Sequence, residues 1–404
     1  MNKPTIEKEE IRTLKAFYDL MEQTRQVRVR LVEQVLSART VEPGDLTSLR
    51  NALEALEGVP FAGGCFRLRL DAEMQMDVEL DYEIGELRKD ILYLERGESE
   101  LLRHLASLHP GFDQHLQAGV ALLAGKKFNC FITDRDGTIN NYCGRYRSSV
   151  QSIYNAVFLT RFADTCCENP IIVTSAPLED PGIVDVSVIP EKKFILAASK
   201  GREFIDLAGA RRAFPIKPEK QDMLDRLNRK LKALVEQQDY QKFALIGSGL
   251  QLKFGQTTIA RQDNRGSIPR KQSLAFKETI TRMVQELDLQ GRYFRIEDTG
   301  LDLEVILTIE SAGEKLKDFD KADSVNYLAD ELGLELGRGP HLVCGDTASD
   351  TPMIEAVGAR TRDTFAVFVT TEQELRARVE GVCANALTVP SPDVLVTILN
   401  ALAQ

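Results

Sequence analysis

Apolar residues recur along the first quarter of the chain at helical spacing. Ile11, Leu14, Tyr18, Met21 and Val29 keep steps built from threes and fours, with charges between them. That pattern predicts an amphipathic helix over residues 4–38. Val41-Glu42-Pro43-Gly44-Asp45 interrupts it, and Asp45 or Thr47 is placed to cap a second helix over 46–56. The glycine-flanked stretch 58–64 reads as a loop. From Leu80 to Leu108 a near-heptad apolar stripe (Ile84, Leu87, Ile91, Leu94, Leu101, Leu105) is broken once, at Glu98, and His109-Pro110-Gly111 ends it. Such a stripe suits either a dimerising or partner-binding coil or an intramolecular bundle, and three neighbouring helical stretches favour the bundle. Residues 1–125 are expected to form an all-α helical domain without a catalytic constellation.

After Lys127 the pattern changes. Short apolar runs at 128–133, 171–174, 193–198 and 341–345 each end in or near Asp, Thr, Ser or Gly, and helical stretches such as 148–164 separate some of them. Alternation of that kind predicts an α/β fold with a doubly wound, Rossmann-like parallel sheet and functional groups gathered at one edge. Between 214 and 313 the sheet is interrupted. A charged helix at 220–237, strand candidates at 243–246, 293–296 and 303–309, and a helix at 273–287 make an inserted α/β module, with 261–270 as an exposed loop. Modules of this kind commonly act as lids. The expected organisation is a helical domain (1–125), a catalytic core (126–213 and 314–404) and a cap (214–313).

Composition narrows the class. With 404 residues, 43% hydrophobic and 28% charged, the chain is a multidomain globular protein. A formal net charge of −10 argues against general affinity for nucleic acid or anionic membrane. Seven cysteines without a CxxC pair and four scattered histidines give no zinc pattern and read as reduced cytoplasmic thiols. No signal peptide and no membrane-spanning run are expected.

The chemistry begins where the run 128–133 stops, at Asp134-Arg135-Asp136-Gly137-Thr138. Two acids are unfavourable inside a buried strand but suit the carboxyl end of one, where open α/β sheets bind ligands. Two apart, Asp134 and Asp136 can share a cation or divide acid and base roles. An acidic turn is the alternative reading, though it leaves the preceding strand unexplained. Three further positions follow in order: Thr174 ending Ile171-Ile172-Val173, Lys321 at the return from the insert, and Gly345-Asp346-Thr347-Ala348-Ser349-Asp350 after Leu342-Val343-Cys344.

In that order, these motifs resemble the haloacid dehalogenase superfamily of phosphohydrolases over residues 128–404. The resemblance implies an aspartyl-phosphate mechanism, with Asp134 as nucleophile and Asp136 as general acid and base. It further implies that Thr174 and Lys321 contact the phosphoryl group, and that Asp134, the Asp136 carbonyl, Asp346 and Asp350 serve a Mg2+ site. Phe131 to Thr138, Thr160-Arg161-Phe162-Ala163, Gly201-Arg202-Glu203, the run Ala244 to Lys253 and the run Cys344 to Met353 look like the nematode-type trehalose-6-phosphate phosphatases, which also carry a helical domain ahead of the core. That likeness implies hydrolysis of trehalose 6-phosphate, with Gln251, Lys253 and Glu304 reading sugar hydroxyls and Glu203 near the same mouth. An ordinary Lys253–Glu304 ion pair is the plainer account of those two. Another phosphosugar (sucrose phosphate, glucosylglycerol or glycerate phosphate) is the rival substrate, and a catalytically inactive scaffold protein the rival class. The N-terminal helices could serve self-association or recruit a protein partner. Arg135 fills the variable position of the first motif, facing either substrate or solvent.

Overall fold

The computed structural model describes residues 5–70, 74–308 and 319–404. The chain opens with α1 (Leu14–Leu36), whose N-cap Thr13 accepts the Ala16 N–H at 3.1 Å. Residues 5–12 are not helical, so the first helix is shorter than its apolar period suggested. The second, α2 (Pro43–Glu57), starts at its proline, whose fixed φ and missing N–H suit the first helical position. Asp45 therefore lies inside the helix, buried, and pairs with Arg30 at 2.6 Å instead of capping.

A small antiparallel sheet follows: β1 (Phe61–Ala62), β2 (Cys65–Arg69) and β3 (Gln75–Val78). It adds to the helical arrangement, and the periodicity did not reveal it. The long apolar stripe is two helices, α3 (Asp81–Arg96) and α4 (Glu98–Leu108), parted at Gly97 with φ of 82°. That break sits beside the stutter at Glu98. α5 (Phe112–Leu123) completes the helical layer. Leu80, Ile84, Leu87, Leu101 and Leu105 are buried in the chain's own core, as the bundle reading requires.

The central sheet has eight strands in the order β15-β14-β13-β4-β5-β6-β7-β8. Its strands are β4 (Phe128–Thr133), β5 (Cys167–Val173), β6 (Ile195–Ala198), β7 (Glu203–Ile205), β8 (Arg211–Ala213), β13 (His341–Gly345), β14 (Thr364–Val369) and β15 (Asn385–Val389). β15 through β6 are parallel, and β6-β7-β8 form an antiparallel edge. On one side lie α6 (Ile153–Cys166) and α14 (Pro392–Leu402), backed by the N-terminal helices; α7 (Ile183–Val186) is a single turn. The other face is covered by α11 (Lys321–Leu332), α12 (Thr351–Gly358) and α13 (Gln373–Val382). From β4 the chain moves to β5 on one side, while β13 arrives on the other. That change of direction opens a crevice at the carboxyl ends of the strands, the usual ligand position in such sheets.

The insert is a four-stranded antiparallel sheet, β11-β12-β10-β9, backed by α8 (Pro218–Val235) and α10 (Arg270–Leu287). The strands are β9 (Leu250–Lys253), β10 (Gln256–Ala260), β11 (Phe294–Asp298) and β12 (Asp302–Leu307). One expectation fails here: 243–246 is not a strand, because α9 (Gln241–Leu245) covers most of it. A short apolar run bounded by glycine has no period that separates the two states. The end of the third strand candidate, at Ile309, and the proposed boundary between cap and core at 313–314 lie outside the described residues. No helix among the described residues is long and apolar enough to cross a membrane.

The helical layer is joined to the catalytic layer by buried charge. Arg28 of α1 and Asp90 of α3 pair at 2.6 Å with both side chains fully buried, and the other Asp90 oxygen accepts the Ile153 N–H at the start of α6, also at 2.6 Å. Replacing Asp90 by Leu strands a buried guanidinium. It should cost about 3–5 kcal/mol of stability, read as a lower urea midpoint, and most of that loss should be recovered in an Arg28→Met, Asp90→Leu double variant.

Candidate active site

Three adjacent strands bring the motif residues together. Asp134 follows β4, Thr174 follows β5 and Asp346 follows β13, all at the same edge of the sheet. Every residue of β4 and β13 is buried, so the backbone that carries the acids is packed on both faces. Lys321 enters from outside the sheet as the first residue of α11, behind the N-cap Asp320, whose carboxylate accepts the N–H groups of Ala322 and Asp323. A positive side chain is disfavoured by the dipole at a helix N-terminus. Here two carboxylates overcome that preference: Lys321 Nζ donates to Asp134 Oδ1 at 2.5 Å and also to Asp350 Oδ1.

Asp350 is fully occupied. Its Oδ2 accepts from Asp346 N at 3.1 Å, Thr347 N at 2.9 Å and Thr347 Oγ1 at 2.9 Å, while Oδ1 faces Lys321. It therefore braces both Lys321 and the loop that presents Asp346. Asp346 Oδ1 accepts from Thr138 Oγ1 at 2.9 Å. Gly137 lies at φ of 88°, and a Cβ there would stand 2.2 Å from Asp346 Oδ2. Only glycine leaves room for that carboxylate and adopts that φ without strain.

Carboxylate oxygens of Asp134, Asp346 and Asp350 lie within 4.8 Å of one another. Burial pushes the Asp134 carboxyl up to about 7; Lys321 opposes the rise, and Asp350 and Asp346 add to it. Burial and the Asp350 charge push Asp346 up to about 6. Burial acts upward on Asp350 too, but Lys321 outweighs it and holds that carboxyl below its usual range. One ammonium thus faces three carboxylates. An all-oxygen, net-negative cluster is the donor set that hard divalent cations take.

The Asp136 carboxylate is held through one oxygen: Arg135 Nη1 and Ser149 Oγ (3.2 Å) both donate to its Oδ1. Arg135 faces neither of the two environments expected of it: it is 2% exposed, turned inward on Asp136 and Ser149. Thr174 is buried, and its Oγ1 accepts the Ala176 N–H at 3.1 Å.

Asp134, Asp136, Thr174, Lys321 and Asp346 line one cavity of about 370 Å³, together with Tyr142, Ser175, Lys200 and Ser349. Lys200 and Tyr142 were missed from sequence. Lys200 follows β6, at φ of 60°, and its N–H donates to the Thr174 carbonyl at 2.8 Å. A cation directly after a strand and before Gly201 was the available signal. Tyr142 is an exposed aromatic on the loop after the first motif and had no such signal.

Gln251, Lys253 and Glu304 share one face of the cap sheet, with Gln251 opposite Thr258 and Thr258 opposite Glu304. The charges of Lys200 and Arg202, on the core, act on Lys253. None of the three lines the Asp134 cavity itself. Glu203 begins β7 at the cap's edge. Its Oε1 accepts from Ser199 Oγ at 2.7 Å and Leu178 N at 3.3 Å, and Ser199 Oγ in turn accepts the Phe254 N–H at the cap hairpin tip (2.8 Å).

Residues 131–395 match the family model described as "Trehalose-6-phosphate phosphatase, C-terminal". Residues 13–109 match the one described as "Trehalose-6-phosphate phosphatase N-terminal helical bundle domain". The alpha,alpha-trehalose-phosphate synthase (UDP-forming) 2 of Aphelenchoides avenae is 33% identical over 425 residues, covering 99% of this chain and 32% of that protein. The protein of the same name from Caenorhabditis elegans is 32% identical over 418 residues, covering 98% and 34%. The trehalose-phosphatase of Brugia malayi is 29% identical over 428 residues, covering 96% and 86%. The chain therefore spans about a third of the length of the two synthase-named relatives.

A divalent cation that binds at this cluster should raise the unfolding temperature of chelator-treated protein by mass action. Asp346→Asn should remove most of that shift. A shift that persists undiminished in Asp346→Asn would place the cation elsewhere.

Proposed function

The chain belongs to the trehalose-6-phosphate phosphatase family, and from that premise we propose that it is a Mg2+-dependent phosphatase releasing trehalose and phosphate from trehalose 6-phosphate. The observation that carries the proposal is Lys321 bridging Asp134 and Asp350 beside Asp346, at the ends of adjacent parallel strands.

A phosphate monoester resists attack because its negative oxygens repel nucleophiles, so the site must supply positive charge and alignment. Lys321 supplies one charge and fixes Asp134 Oδ1, leaving Oδ2 to attack phosphorus. As the new P–O bond forms, the bond to the sugar oxygen breaks, its electron pair goes to that oxygen, and Asp136 delivers the proton. In the second step Asp136 removes a proton from water, the water oxygen bonds to phosphorus, and the P–O bond to Asp134 breaks with its electron pair returned to the carboxylate. Thr174 and Lys200 line the cavity where the phosphoryl oxygens would sit, as donors. Asp134, the Asp136 carbonyl and Asp346 would hold Mg2+, with Asp350 as brace. When bound, the ion neutralises phosphoryl oxygens and helps keep Asp134 ionised.

Substrate choice falls to the cap. Gln251 and Lys253 supply donors and Glu304 accepts from sugar hydroxyls. Closure of the cap over the crevice would exclude water from the reacting ester. All seven cysteines are free, which suits a reducing, cytoplasmic setting.

Phosphate release with Mg2+ from a panel of trehalose, sucrose, glucosylglycerol and glucose phosphates should be fastest with trehalose 6-phosphate. Equal or faster turnover of another ester would overturn the substrate. Burial pushes Lys253 down to about 8, with Glu304 opposing and Lys200 adding to the fall. A lysine lowered in this way loses its charge as pH rises through that value. KM for the sugar phosphate should therefore rise above pH 8 in the wild type, and Lys253→Met should have a raised KM that no longer changes there.

A further inference from the structure

The hydrogen bonds at the Asp136 carboxylate continue out of the catalytic core. Ser149 Oγ gives its one proton to Asp136 Oδ1 at 3.2 Å and accepts from Asn140 Nδ2 at 3.3 Å and Arg135 Nη1 at 3.1 Å. Asn140 Nδ2 also donates to Tyr82 Oη at 3.0 Å, and Tyr82 Oη donates to the Val150 carbonyl at 2.9 Å. Asn140 Nδ2 thus donates outward on both sides, to Tyr82 Oη and to Ser149 Oγ, with the Asn141 carbonyl also at 3.0 Å, and the Ser149 hydroxyl carries the link on to Asp136. Tyr82 belongs to α3, in the helical layer rather than the catalytic sheet.

Asn140 is tied to the motif by its backbone as well. Its carbonyl accepts the Gly137 N–H at 2.8 Å, and its N–H donates to the Arg135 carbonyl at 2.9 Å. It clasps the turn that bears Asp136 and passes its side chain to Tyr82. Neighbouring contacts fasten the same loop to the same helix. Ser148 Oγ donates to Glu83 Oε1 at 2.6 Å and Asn141 Nδ2 to Glu86 Oε1 at 2.9 Å.

We propose that Tyr82 is a positioning residue for the acid–base group: α3 sets where the Asp136 carboxyl stands relative to the departing sugar oxygen. The helical domain is then part of the proton-delivery apparatus and not only a packing layer. This rests on the general-acid role of Asp136. Small displacements of a catalytic group lower rates steeply, and the lost proton matters only for a leaving group that needs it.

The test compares kcat/KM for trehalose 6-phosphate, whose sugar alkoxide must be protonated, with that for p-nitrophenyl phosphate, whose phenolate leaves unaided. kcat/KM ends at the breaking of the ester bond, so later hydrolysis does not enter. Tyr82→Phe should lower the sugar-phosphate value about tenfold while the nitrophenyl value stays within about twofold. Asp136→Asn should show the same selectivity more strongly. If Asp136→Asn falls equally on both esters, the acid role fails and the proposal with it. If Asp136→Asn is selective but Tyr82→Phe lowers both equally, or neither, the proposal alone is overturned. Should Tyr82→Phe not fold by circular dichroism, Asn140→Ala cuts the same link and decides on the same criterion.

Discussion

Lys321 places one ammonium among three carboxylates at the edge of a packed sheet, and the site is arranged around that charge imbalance. An unpaired buried ion would cost several kcal/mol, so the carboxylates of Asp134 and Asp350 depend on Lys321, and Lys321 on them. The Lys321–Asp134 contact at 2.5 Å, completed by Asp350, ties α11 to β4 and to the loop after β13. One ammonium does not neutralise the cluster, and burial, with the neighbouring carboxylates adding to it, keeps the carboxyls of Asp134 and Asp346 raised. A cation and a phosphoryl group are the natural complement: the first supplies the missing positive charge, and the second is held by it.

Two layers outside the sheet adjoin this centre. The cap presents Gln251, Lys253 and Glu304 on one face of an antiparallel sheet, where strand alternation keeps side chains two apart in register. The helical layer reaches the loop that follows the first motif, through Tyr82, Glu83 and Glu86. It also touches the cap directly: Tyr18 Oη donates to the Leu245 carbonyl at 2.7 Å, and Glu79 pairs with Arg265. The residues proposed as nucleophile and metal ligands thus follow strands of the packed sheet, while the proposed acid and sugar contacts are held by neighbouring layers.

What could be read beforehand follows the range of the interactions. β4 and β13 were legible to the residue because a buried parallel strand is a continuous apolar run with an abrupt polar end. Asp134 and Asp346 followed from those ends, and Thr174 and Lys321 came by resemblance. The 243–246 run was read as a strand because four apolar residues carry no period, and the sheet at 61–78 was passed over because its strands are short and partly exposed. The environment of Arg135 was illegible for a different reason. Its partner Ser149 lies 14 residues on, across a loop without periodicity, and the link from Asn140 to Tyr82, 58 residues away, exists only once the helical layer is docked.

The most direct test of the central claim is to acid-quench the protein during turnover of 32P-labelled trehalose 6-phosphate with Mg2+ and map the label by peptide sequencing. The account predicts acid-stable, base-labile label on the peptide containing Asp134, chased away by unlabelled substrate. Phosphate release at the normal rate with no label on Asp134 at any quench time would contradict it.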